Sequence, residues 1–178
     1  MIFSVGHSNL SAQAFVTLLR AFDIALLVDV RRQPRSRRHP HFERSALAEL
    51  LGSAGIEYQW WGEALGGHRS PRADSPNFAL TDTALRGYAD HMLGAEFRDA
   101  ADALARLALT RRGAFMCAEA DYRHCHRQLL ADQLLRAGLM VEHIVSAGHS
   151  VPHIFHAALG DACEPPVYNR RAQGDLFA

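Results

Sequence analysis

Short apolar runs alternate with stretches of helical periodicity, and this alternation restricts the chain more than any other feature. Ile24 to Val30, IALLVDV, is the strongest run; apolarity at strand length, broken only by Asp29, predicts a central parallel strand covered on both faces. Ile2 to Val5, Ile56 to Trp61, Ala114 to Met116 and Val141 to Val145 read as further strands. Between them, Ser11 to Phe22, Ser45 to Ala54, Thr81 to Leu109 and Cys125 to Ala137 carry apolar residues at helical spacing, the third stretch broken at Gly94. Ser11 reads as an N-cap, and Gly55 and Gly138 as stops. The pattern predicts an α/β fold: a mostly parallel sheet of about five strands with helices on both faces, Rossmann-like and three-layered.

A chain of 178 residues with 48% hydrophobic content can bury a sizeable core, and residues 1–178 are expected to form a single domain. Its C-terminal part, about 163–178 with Pro165 and Pro166, reads as an irregular arm. No apolar stretch approaches the ~18 residues of a membrane span. The start, MIFSVGHS, lacks the basic flank and long apolar stretch of a secretory leader, so a cytoplasmic protein without a membrane partner is expected. Three cysteines, two of them in one loop, do not make a disulfide framework and fit a reducing compartment, with Cys163 an inert thiol. All 19 Lys+Arg residues are arginine, which excludes Schiff-base chemistry and the lysine-bearing phosphate loop of nucleotide hydrolases.

Parallel strands all end on one side of a sheet, where open α/β folds bind their ligands, and the polar residues of this chain gather there. His7 and Ser8 follow the first strand. Asp29 interrupts the second, and a buried carboxylate needs a partner; Arg31, two residues on and on the same face, can supply it. From Arg31 to Arg44 the segment RRQPRSRRHPHFER holds six arginines, two histidines and one acid, and Pro34 and Pro40 keep it out of a helix. Arg31 and Arg37 therefore belong to a cationic loop suited to phosphates. Trp60 and Trp61, followed by Gly62, Gly66 and Gly67, form a candidate stacking wall, and the long loop from His68 to Phe78 is expected to be mobile. The fourth strand leads into GAFMCAEADYRHCHR, residues 113–127, which holds Cys117, Glu119 and Cys125 and whose Arg123, His124, His126 and Arg127 crowd the positive end of a helix. His149 follows the fifth strand.

Gly6-His7-Ser8, Leu27-Val28-Asp29-Val30-Arg31 with Pro34 and Ser36, Pro40-His41-Phe42, Gly55-Ile56-Glu57-Tyr58, Leu65-Gly66-Gly67 and the Cys117, Glu119, Cys125-His126-Arg127 cluster occur in this order. In these pieces the chain resembles the "domain of unknown function 488" family over nearly its whole length. The resemblance implies an α/β fold and a shared site, and brings no established activity with it.

Three chemistries are open to the Cys117 loop. Cys117 can be a nucleophile whose thiolate is stabilised by Arg123, His126 or Arg127. Cys117 and Arg123 have the Cys-x5-Arg spacing of the oxyanion loops of tyrosine phosphatases and rhodanese-like transferases, but Glu119 and Asp121 inside the loop would repel an anion. Alternatively Cys117, Cys125 and His126, with His124 or Glu119, are zinc-type ligands, though without a Cys-x2-Cys pair. The third reading is structural: Cys117 buried, Glu119 paired with Arg127, Cys125 packed under the helix.

The joint presence of these groups favours an enzyme, a hydrolase or transferase, acting on a phosphorylated or other anionic substrate, a nucleotide or nucleic acid included. Its catalytic candidates are Glu119, Cys117, His7 and Asp29, with Glu119 or His7 in proton transfer. Ser8, Arg31, Arg37, Cys125, His126 and Arg127 are its substrate-binding candidates. This reading assigns no metal ligand and specifies no cofactor. Its rivals are a nucleic-acid-binding or regulatory module working through Arg31 to Arg44, and a metal-binding protein built on Cys117, Cys125 and His126.

Overall fold

Side-chain parity along the strands decides how this chain packs. In the computed structural model, which describes residues 1–160 and 165–170, six strands form one sheet. They are β1 (Ile2–Gly6), β2 (Leu26–Asp29), β3 (Glu57–Trp60), β4 (Gly113–Cys117), β5 (Val141–Ser146) and β6 (His149–Pro152). Their order is β3-β2-β4-β1-β5-β6, and every pairing is parallel except that of β5 with β6. The helices are α1 (Ala12–Arg20), α2 (Arg44–Ser53), α3 (Gly62–Leu65), α4 (Thr83–Met92), α5 (Ala95–Thr110) and α6 (Arg127–Arg136). Phe3, Val5, Leu27, Ala114 and Met116 point to one face, where Phe15 and Leu19 of α1 and Leu47 and Leu51 of α2 cover them. Their alternates Ile2, Leu26, Val28, Phe115 and Val141 meet Tyr88 of α4, Phe97 and Leu104 of α5 and Leu130 of α6. The result is the expected three-layer α/β architecture.

The sheet has one strand more than the apolar runs predict. After β5 the chain reverses through Gly148, which sits at a left-handed φ of 73°, and β6 returns antiparallel. His149 thus opens a short exposed strand at the sheet edge. Elsewhere the local signals act as expected: Ser11 Oγ accepts from the Ala14 amide at 3.2 Å, and Gly94 separates α4 from α5. Pro40 bars an α-helix but is accommodated at the first position of a 3₁₀ turn, Pro40–Phe42. The loop expected to be mobile is tied to α4 through Asp90, which accepts from the Arg72 amide (2.7 Å), Ser75 Oγ (2.6 Å) and Asn77 Nδ2 (2.8 Å). Residues 165–170 carry no helix or strand, yet Tyr168 is fully buried, its amide donating to Asn77 and its hydroxyl to Asp132. Cys163 lies outside the described residues. Among the described residues no helix is long and apolar enough to cross a membrane.

The connections create a crevice. β1 hands over to α1 and β2 to α2 on one face, whereas β4, lying between those two strands, hands over to α6 on the other. Neighbouring strands that send their chains to opposite faces leave an opening beyond their carboxyl ends.

Candidate functional site

The face covered by α1 and α2 delivers a cation locked in place. Asp29 is fully buried at the end of β2, and Arg31 folds back onto it, Nε to Oδ1 at 2.9 Å and Nη2 to Oδ2 at 2.6 Å. Tyr58 of β3 donates its hydroxyl to the same Oδ2 at 2.7 Å; burial, and then Asp29 itself, push that hydroxyl well above its ordinary value, so it stays a donor. The remaining Arg31 nitrogen, Nη1, reaches His7 Nε2 at 3.2 Å. His7 Nδ1 lies 2.9 Å from the Ser8 carbonyl, which can only accept, so Nδ1 carries the proton and Nε2 offers its lone pair to Arg31. Burial first, and Arg31 next, lower the His7 pKa to about 4, and the ring stacks on Phe42 at 3.9 Å between centroids. His7 is neutral, with both nitrogens engaged.

The opposite face delivers sulfur and imidazole. His126, just before α6, places Nε2 3.1 Å from the buried carbonyl of Val30. That carbonyl fixes the proton on Nε2 and leaves Nδ1 as an acceptor, 3.6 Å from Cys125 Sγ and 4.0 Å from Cys117 Sγ. Gly67 packs so closely on this ring that a Cβ there would lie 2.7 Å from Nδ1. A hydrogen bond from Cys117 holds Cys125 well below the ordinary thiol value against its burial, helped by His126 and Arg127. The same bond, and then burial, hold Cys117 well above it.

The two sets meet because the loops after β1 and β4 stay paired past the strands, His7 N to Cys117 O at 3.0 Å and Ser8 N to Ala118 O at 2.9 Å. Above them opens a cavity of about 300 Å³ lined by Ser8, Arg31, Arg32, Arg35, His39 and His68 together with Cys117 and His126, and no residue lining it is acidic. Arg32 is braced on the His68 carbonyl at 2.8 Å. Of the three non-glycine residues with left-handed backbone among those described, two line this cavity, Ser8 at φ 46° and His68 at φ 57°. Such strain concentrates where ligands bind. A second cavity of about 250 Å³ shares Cys117, His126 and His68 and adds Glu119, Cys125 and Asp82.

The sequence-derived candidates divide accordingly. Ser8, His7, Arg31, Cys117 and His126 line the first cavity, and Glu119 and Cys125 the second. Asp29 lies beneath the site as the anchor of Arg31. Arg127 is also beneath it, 1% exposed, donating to Ser4 Oγ at 3.1 Å and to the backbone carbonyls of Glu119 and Ala120. It meets the Glu119 backbone rather than its carboxylate, which is exposed. Arg37 is exposed and lines neither cavity. Arg123, the arginine of the Cys-x5-Arg spacing, turns outward to Asp121 at 2.7 Å and pulls that carboxyl down to about 2. Trp60 and Trp61 do not line the cleft; the Trp60 indole donates to the Arg31 carbonyl at 2.9 Å and its ring lies under Arg44. His149 is exposed and also lines neither cavity. His68 and Asp82 carry no signal at the sequence level: one follows a glycine pair, and the other is the N-cap of α4, accepting from Ala84 and Leu85.

Fold and site together define a three-layer α/β protein with a cation-lined cleft at the carboxyl edge of its sheet. The chain belongs to the family described as "Domain of unknown function DUF488", whose match covers residues 11–134, well over half of the chain. That stretch contains Asp29, Arg31 and the Cys117 loop and leaves out His7 and Ser8. No curated protein and no solved structure matches the chain.

Proposed function

We propose that this chain is an enzyme, a hydrolase or transferase, acting on a small phosphorylated or similarly anionic substrate held in the cleft between the two faces. The observation that carries this reading is the cavity lining: Arg31, Arg32, Arg35, His39 and His68 around a space of about 300 Å³ without one carboxylate. Arg32 and Arg35, with Arg31 oriented on Asp29, present guanidinium groups to a space that no carboxylate lines, and arginine forks match phosphate geometry. The volume is at the low end for small-molecule sites, which favours a compact ligand over a polymer. Arg31, clamped by Asp29 and His7, offers a guanidinium of fixed orientation. His7 serves as its positioning residue, since neither ring nitrogen is free for proton transfer. Glu119, exposed at the adjoining cavity, is the residue for acid or base work.

Calorimetric titration with inorganic phosphate, pyrophosphate and mononucleotides is the test. Saturable binding at one site is expected, weakened by about tenfold in Arg35→Gln, the equivalent of one charge-assisted hydrogen bond. Glu119→Gln is expected to keep binding and lose turnover of any ester the parent cleaves. Absence of binding throughout, or full affinity in Arg35→Gln, overturns the reading. One observation favours a nucleic-acid interface instead: Arg37 and Arg38 are exposed and point no ligand into the cleft. In that case Arg37→Gln would lower the salt slope of polynucleotide binding by about 1.

A further inference from the structure

We propose that Cys117, Cys125 and His126 form a three-ligand site for a zinc-like divalent cation, with its fourth position open toward the cleft. This inference rests on the cleft being the working site and adds an electrophile to it. The ligand atoms of the three residues lie within 4.8 Å of one another. A tetrahedral ion with metal–sulfur bonds of about 2.3 Å and a metal–nitrogen bond of about 2.0–2.1 Å sets nitrogen and sulfur about 3.6 Å apart. Nδ1 stands 3.6 Å from one sulfur and 4.0 Å from the other, so these two separations lie within a few tenths of an ångström of the coordinated value.

The imidazole is already prepared. Its Nε2 proton is committed to the Val30 carbonyl, the arrangement that orients metal-bound histidines, and the lone pair of Nδ1 faces the sulfurs. A thiol can donate a weak hydrogen bond to that lone pair, and on deprotonation the same three atoms become the donor set of a metal ion.

Two sulfurs and one imidazole select zinc over magnesium, calcium or manganese. Three protein ligands fit the catalytic rather than the structural pattern, in which the fourth position is left to water or substrate. Cys117 and His126 line both cavities, so the open position lies between the arginine-lined space and Glu119.

The test uses the full, reduced chain stripped with chelator and titrated with Co²⁺. One equivalent is expected to bind with a thiolate-to-cobalt charge-transfer band and the visible bands of tetrahedral geometry, and Zn²⁺ is expected to displace it. Cys117→Ser and Cys125→Ser, checked for native circular dichroism, are expected to lose the band, and Cys163→Ala to keep it. No cobalt binding by the parent, or a band that survives both serine variants or vanishes in Cys163→Ala, overturns the proposal; the parent spectrum decides even where a variant misfolds. Arg35→Gln separates the two readings. Retained cobalt binding with phosphate affinity weakened about tenfold supports both, whereas phosphate binding by a parent that takes up no cobalt leaves the anion site standing alone.

Discussion

At the scale of the residue, the site depends on one buried ion pair whose partners are satisfied from three strands. Asp29 accepts two bonds from the Arg31 side chain and one from Tyr58, and Arg31 spends its last nitrogen on His7. Breaking such a pair from one side leaves a charge in the core without compensation. Asp29→Asn is therefore expected to lower unfolding free energy in urea by about 3–5 kcal/mol, while Asp29→Asn combined with Arg31→Met recovers much of the loss. A single variant as stable as the parent would show that the pair contributes nothing. The Asp29–Arg31 half of this arrangement is legible in the sequence, because residues two apart on a strand share a face. The His7 half is not. β1 and β2 are not neighbours; β4 lies between them, and no spacing in the sequence announces that His7 meets Arg31 across it.

At the scale of the element, helices were readable where their period was long and their ends were marked, and strands where apolar runs were continuous. α1 with its Ser11 cap and the α4–α5 break at Gly94 belong to this class. α3 spans only Gly62–Leu65, too short for a period to register, and β6 is four residues with a mixed pattern and a terminal proline. The loop from 68 to 78 looked free because its anchor lies outside it, in a carboxylate on α4. Asp90→Ala removes the acceptor of three donors, at a cost of about 1–3 kcal/mol for each group left without a partner in a dry setting. Hydrogen exchange in residues 70–77 is expected to accelerate well beyond any change in the central strands. A uniform rise along the chain would mean that Asp90 supports the fold at large rather than this loop.

At the scale of the whole molecule, stability is tied to acid through two histidines held neutral, one on β5 and one just past the end of the neighbouring β1. His143, under Tyr122 with ring centroids 3.4 Å apart, has its pKa lowered to about 3 by burial and then by His153; His7 is lowered to about 4. Both titrate near 6.5 in the unfolded chain, which therefore binds protons that the native state refuses. Stability is complete above pH 6.5 and declines as pH falls toward 4 and 3, by about 1.4 kcal/mol per pH unit for each histidine. Urea midpoints measured from pH 7 to 4.5 are expected to show this decline, with a shallower slope in His143→Gln; equal slopes would remove His143 from the account. The sheet order adds a consequence in time. Phe3 pairs with Ala114 and Leu27 pairs with the same residue from the other side, so the first two strands have no contact until the fourth slides between them. Closing so long a loop is entropically costly and slow. A nascent chain that has not yet exposed residue 117 holds nine of the twelve residues that line the cleft and none of its geometry, and the last strand to enter the middle of the sheet completes both the fold and the site.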